Sequence, residues 1–182
     1  IGVIVRGPDE PGGDAEYCWQ IRPDLTHAEP KALQIGGYYR RCQITTAEVG
    51  AAWTVVHPHR AADDSRRTTA RAVAEQLAQL LDGAYLVAAN ASFDEAFVSK
   101  FLRANGQCAT HHYHLIDVEA LAAGAVAMPP KWDLNVLLAR FGVPVDEADR
   151  HTALGDARLA RDLFDTVMGL RPGAWRKRDG DV

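Results

Sequence analysis

Two short stretches combine carboxylates, an amide and an imidazole in settings suited to hydrolytic chemistry. The first is Asn90-Ala91-Ser92-Phe93-Asp94, which follows an apolar run and opens a helical pattern. Strand-to-helix junctions gather functional groups in α/β proteins because several elements converge there. A carboxylate in the first turn of a helix is also favoured by the helix dipole. The structural alternative is that Ser92 or Asp94 simply caps the helix. The second stretch is His151-Thr152-Ala153-Leu154-Gly155-Asp156, after a polar loop from Asp146 to Arg150. Here Asp156 lies about one turn inside a helix and His151 just outside it. Imidazole accepts a proton near neutral pH, and aspartate is a hard oxygen ligand suited to magnesium or manganese. The alternative is a helix-start histidine with a solvated aspartate.

The elements that must position these residues can be read from periodicity. Ile1 to Arg6 and Ala15 to Arg22 read as strands of an antiparallel hairpin around a Gly/Pro-rich turn, with Tyr17, Trp19 and Ile21 on one face. The segment Pro23–Arg60 has little pattern beyond a short helix near Pro30–Ile35. A helix is predicted over Thr68–Leu81, with Val73, Leu77, Leu80 and Leu81 on one stripe. Tyr85–Ala89 is a short buried strand. The next helix carries Phe93, Phe97, Val98, Phe101 and Leu102 as its apolar face and stops at Gly106. Tyr113–Ile116 reads as a strand leading into a helix around Val118–Ala127. Leu134–Phe141 is a helix ended by Gly142, and Ala153–Met168 is the last. Antiparallel strands followed by alternating helices and strands predict an α/β fold with a mixed sheet flanked by helices. The expected domain covers residues 1–170, and residues 171–182 form a polar tail.

Composition narrows the class. The chain has 182 residues, enough for one domain with a real core, and no apolar run approaches membrane-spanning length. The three cysteines, Cys18, Cys42 and Cys108, form no Cys-x-x-Cys pair, which favours a reducing cytoplasm over a disulfide framework. The net charge is −4, so contact with nucleic acid would have to be local, through bound cations and a few arginines. Other groups carry bland alternatives. His112 and His114 would share a strand face but have no further ligand with zinc-site spacing. His57-Pro58-His59 reads as a loop, Arg66, Arg67 and Arg71 as a solvated helix end, and Arg176-Lys177-Arg178 as a basic tail. Asp117 and Glu119 are acidic enough for a metal, although Asp117 reads as a helix cap.

Taken together, the two stretches resemble the DnaQ-like exonucleases of the DEDDh type, which have a ribonuclease H-like fold. Leu86–Asp94 resembles that family's second motif, Leu115–Leu121 the strand-to-helix segment that follows, and Arg150–Ala157 its third motif. Leu134–Val143 is similar to the short helix and glycine turn before it. The order and spacing fit over residues 84–165. The resemblance implies a 3′–5′ exonuclease acting on the 3′ end of DNA or RNA with two divalent ions, Mg2+ or Mn2+, possible partnership with a polymerase, and no membrane. It implies metal-binding roles for Asp94 and Asp156 and a general-base role for His151. Asn90 and Phe93 are the implied substrate contacts, with Phe93 also readable as core. The family's first motif, Asp-x-Glu at the end of a first strand, has no counterpart; Asp9-Glu10 is adjacent and lies in a turn. The expectation is therefore that the natural protein starts upstream of Ile1, that Ile1–Arg6 is the second strand and lies near a gap, and that the chain as it stands is weak or inactive. Two other readings stay open: a degenerate exonuclease-like module that binds nucleic acid or a polymerase, and a metal hydrolase of small phosphate esters.

Overall fold

A computed structural model describes residues 1–7, 13–41, 51–56, 66–129 and 132–169. The expectations for Asp9-Glu10, Cys42, the His57–His59 loop and the 171–182 tail with Arg176–Arg178 fall outside the described residues, as do the side chains of Arg66 and Arg67. The first sheet is antiparallel, in the order β1 (Gly2–Val5), β2 (Ala15–Ile21), β3 (Ala51–Val56), β4 (Arg66–Thr69). Helices α1 (Pro30–Ile35) and α2 (Tyr38–Arg41) lie between β2 and β3. Then come α3 (Ala70–Leu81), β5 (Val87–Ala88), α4 (Ala91–Ala104), β6 (Ile116–Asp117), α5 (Val118–Ala125), α6 (Leu134–Phe141) and α7 (Ala153–Met168). Strands β5 and β6 pair in parallel as a separate sheet. The fold is the mixed α/β arrangement expected, with its antiparallel and parallel parts held in two sheets rather than one.

Local chemistry accounts for the elements. Alternation in β2 points Ala15 and Trp19 inward, and both are buried. Tyr17 stacks on Trp19 at 5.7 Å between ring centroids. Helix α3 starts two residues later than its periodicity suggested. Thr68 and Thr69 end strand β4, and the Thr69 side chain then caps the helix by accepting from the Ala72 N–H. The buried stripe of α3 is Val73, Ala74, Leu77 and Leu81. With Trp19, Ala52 and Leu102 it forms one core cluster. A second cluster joins α5, α6 and α7 through Val118, Ala122, Leu137, Leu138, Leu159 and Leu163. Gly142 ends α6 in the left-handed conformation, at φ 67, as a residue without Cβ can.

Helix α7 ties the two halves together, lying against β1, β2 and β5 as well as α5 and α6. On its pairing edge β1 meets β2; among the described residues no strand pairs with its other edge. A Cβ on Gly2 would stand 2.4 Å from the Ala153 carbonyl carbon and 2.5 Å from the Leu154 nitrogen, so the start of α7 sits against the β1 backbone. Arginine forks fix that contact. Arg6 donates to Asp14 at 2.7 and 2.8 Å, and to Asp165 of α7 at 2.5 and 2.9 Å. Arg158 of α7 donates to Glu16 at 2.9 and 2.6 Å and to Asp149 at 2.7 Å. The hydrogen bond from Arg6 holds Asp14 below the usual carboxylate range, and that from Arg158 does the same for Glu16.

Because these folded-state values are depressed, the stabilisation they supply is fully present above the ordinary carboxylate range. It is lost as pH falls through the lowered values. Circular dichroism during acid titration should show Asp14→Asn less stable than the parent by about 1.5–3 kcal/mol near neutral pH. The difference should shrink at strongly acid pH. A constant difference across the titration would show that the Asp14 charge does not link the hairpin to α7.

Candidate active site

The site is built from the first turns of α4 and α7. Asn90 precedes α4 in the left-handed conformation, φ 57 and ψ 54, which asparagine tolerates better than most residues. It is the N-cap, but its side chain makes no capping bond to the backbone. The helix-cap alternative for Ser92 or Asp94 is thus replaced by a different arrangement. Ser92 donates to the Asn90 side-chain oxygen at 3.3 Å, and the Ala91 N–H donates to Asp117 Oδ2 at 3.3 Å. Asp117 Oδ1 meanwhile accepts from the Ala120 N–H at 2.9 Å. One carboxylate therefore caps α5, as the sequence suggested, and also holds the start of α4 against β6. That second bond spans 26 positions and has no local signature in the sequence.

Asp94 stands in the first turn of α4. Partial desolvation, and then the negative charge of Asp156, push its carboxyl above the ordinary aspartate value. Residues 62 positions apart by number are thereby brought within electrostatic reach. Asp156 lies in the first turn of α7, and its Oδ1 accepts the His151 N–H at 3.1 Å. His151 has φ 58, and Arg41 holds its carbonyl at 2.8 Å and that of Arg150 at 3.2 Å. Arg150 in turn bonds the Asn135 side chain. Thr152 caps α7, accepting from the Gly155 N–H at 2.9 Å and donating to the Asp149 carbonyl at 2.5 Å. Arg41 carried no signal in the sequence, because its partners are backbone carbonyls 109 and 110 positions away.

Asp94, Asp156 and the His151 backbone are thus assembled at one place, with Asn90 at the mouth of the same helix as Asp94. Phe93 is 57% exposed and lies tilted against Phe97, 62% exposed, at 4.6 Å between ring centroids. This corrects the reading of both as core: only Leu102 of the expected stripe is fully buried, while Val98 and Phe101 pack at the edge. The strand expected over Tyr113–Ile116 is shorter and later, at Ile116–Asp117. His112 and His114 therefore do not share a strand face. Instead His112 Nδ1 accepts the His114 N–H at 3.2 Å. Arg71 is exposed and paired with Glu75, in line with a solvated face.

The donor set suits a hard divalent cation. Asp94 and Asp156 offer carboxylate oxygens, repel each other, and face the positive ends of two helices. They are a pair: among the described residues no group of three or more His, Cys, Asp or Glu side chains is placed to hold a metal together. Burial and the neighbouring Asp117 and Asp133 raise Glu119, but it belongs to the α5 cap region.

An α/β domain with two carboxylates at neighbouring helix starts offers oxygen donors of the kind a hard divalent cation takes. The sequence profile described as Exonuclease, of the RNase T type, matches residues 42–164, and the chain belongs to this family of DnaQ-like DEDDh exonucleases. No curated protein matches the chain significantly.

Gly155 is the residue on which the α7 start depends. A Cβ there would meet the Asp149 carbonyl oxygen at 2.1 Å and Thr152 Oγ1 at 2.6 Å. Gly155→Ala should therefore push the 149–152 turn away from α7 and cost about 1–3 kcal/mol, with the catalytic rate falling alongside the melting temperature. An alanine variant with parental melting temperature and rate would show that the turn is not packed as described.

Proposed function

We propose that the protein is a 3′–5′ exonuclease that hydrolyses the terminal phosphodiester of DNA or RNA and releases a nucleoside monophosphate. Membership in the exonuclease family makes nuclease chemistry the starting point. The observation that carries the finer reading is the approach of Asp94 and Asp156 at the starts of two helices, close enough for one charge to raise the other's pKa. Such a pair, with no ion pair to a basic side chain among the described residues, suits a site that receives cations with its substrate.

Asp94 and Asp156 would hold Mg2+ or Mn2+. Bound as two ions, these supply charge neutralisation at the attacking and leaving oxygens. His151, exposed at the mouth of the site, takes the proton from the attacking water. Its position is fixed through the backbone: the N–H is held by Asp156 and the carbonyl by Arg41, which leaves the imidazole free to face solvent and substrate. Phe93 offers a ring face to the terminal base, and Asn90 an amide to its sugar or phosphate. The free thiols Cys18 and Cys108 suit a reducing cytoplasm, where the enzyme would act alone or beside a polymerase. The working domain is residues 1–170. Among the described residues no helix is long and apolar enough to cross a membrane.

The test is release of mononucleotides from a labelled single strand by the intact protein in magnesium or manganese, beside an EDTA control. His151→Ala should slow hydrolysis by about a hundredfold or more while strand binding holds, as for a lost general base. Asp156→Ala should reduce it further, because it removes a cation ligand and the bond that seats His151. Undiminished rates in EDTA, or in Asp156→Ala, would sink the mechanism; label released first from the 5′ end would sink the polarity.

A further inference from the structure

A second surface lies at the far end of β5 and β6 from Asp94. Four rings form a short ladder there: Tyr85 lies tilted against His112 at 4.3 Å, His112 stacks on Tyr113 at 4.5 Å, and His114 lies tilted against Tyr113 at 4.1 Å and His112 at 5.1 Å. Tyr85 is 56% and Tyr113 78% exposed, which is unusual for large aromatics with no core to fill. The ladder adjoins an open groove of about 410 Å³ lined by Glu95, Ser99, Arg103, His111 and Tyr113. Within it Glu95 is already engaged, accepting from Ser99 at 2.6 Å and facing His111 at 3.7 Å. Arg103 is exposed and makes no ion pair among the described residues, and neither does Lys100. Exposed rings with π faces, next to cations without carboxylate partners, match bases and phosphates of an unpaired strand.

We infer that this ladder and Arg103 form a stacking platform for single-stranded nucleic acid, engaging the strand upstream of the 3′ end that enters the Asp94–Asp156 site. The inference rests on the exonuclease reading for the direction of the strand. Helix α4 links the two places. Asp94 to Arg103 is nine residues, about 13 Å along the axis. Phe93, Phe97, Lys100 and Arg103 lie exposed along that length. The platform selects unpaired substrate, since bases in a duplex present no free face. A duplex could offer Arg103 only its phosphates.

The test measures binding by fluorescence anisotropy in EDTA, where no hydrolysis occurs. The probes are a 5′-fluorescein-labelled single-stranded oligonucleotide, the blunt duplex of the same sequence, and a dinucleotide. Tyr113→Ala should weaken binding of the long single strand about tenfold. It should leave dinucleotide cleavage in magnesium at the parental rate, because the dinucleotide is too short to reach the ladder. Tyr113→Phe should restore parental binding, and the melting temperatures of both variants should match the parent's because the side chain is exposed. Parental affinity of Tyr113→Ala for the long strand overturns the inference. So does an equal loss on single strand and duplex, because stacking on free base faces weakens only single-strand binding; a surface made for a protein partner would leave both affinities at the parental value. Tyr113-dependent strand binding by a protein that cleaves no 3′ end would overturn the exonuclease reading and leave the platform standing.

Discussion

Helix α7 carries both Asp156 and the turn that presents His151, so the position of that helix decides the geometry of the site. Apolar packing alone does not fix it along its axis, since a helix can slide over smooth neighbours at small cost. The arginine forks can. Arg6 grips Asp14 on its own hairpin and Asp165 on the helix, while Arg158 reaches back from the helix to Glu16 and to Asp149 in the preceding turn. Arg161 lies 3.6 Å from Asp14 and 3.5 Å from Glu16, closing the network. Planar forks hold direction as well as distance. Asp165 is a buried carboxylate at 8% exposure, so removing Arg6 would leave a charge with little water to replace its partner. Gly2 permits the close approach on which these bonds rely.

At the start of α7, two residues before Arg158, the same chemistry is inverted. Asp94 and Asp156 lie within electrostatic reach of one another, and no arginine bond to either is present among the described residues. Partial burial, and then the Asp156 charge, raise the Asp94 pKa instead of lowering it. A carboxylate held above its ordinary value opposes folding once it ionises, so the site draws on stability supplied by the arginine network next to it. The helix starts offset part of the repulsion with their exposed N–H groups. The Asp117 double cap keeps α4 seated on β6 so that this arrangement persists.

Much of this was legible because it is local. The bounds of α6 and α7 follow from Asp133 and Thr152 as caps and Gly142 as a stop, all readable in a few residues. The pairing of Asp94 with Asp156 was legible only through resemblance to a family, since nothing in the spacing itself brings the two helices together. The arginine network was invisible: Arg6 and Asp165 are 159 positions apart, and an arginine near a strand end reads as solvated. The exposed Phe93 and Phe97 misled for the opposite reason. Their spacing of four is the signal of a buried stripe, and periodicity does not reveal whether anything covers a face. Strands β3 and β4 escaped because their residues alternate weakly, and the threonines of β4 blend into the helix they precede.

Cation use explains how an acidic protein can serve a polyanion. Arg6, Arg158 and Arg161 are committed to carboxylates, Arg71 is paired with Glu75, and Arg41 is spent on backbone carbonyls. What remains on the face of α4 is Lys100 and Arg103. Two cations there would make few phosphate contacts, so on this face strand binding in the proposed reading draws mainly on ring stacking, which salt screens little. That division suits a processing enzyme. A strongly basic groove would hold duplex and single strand alike by their phosphates. Rings discriminate by whether a base face is free, and in the proposed reading the Asp94–Asp156 pair would repel a phosphate until cations arrive. In that reading binding strength and chemistry fall on different residues, so either could change without dismantling the other.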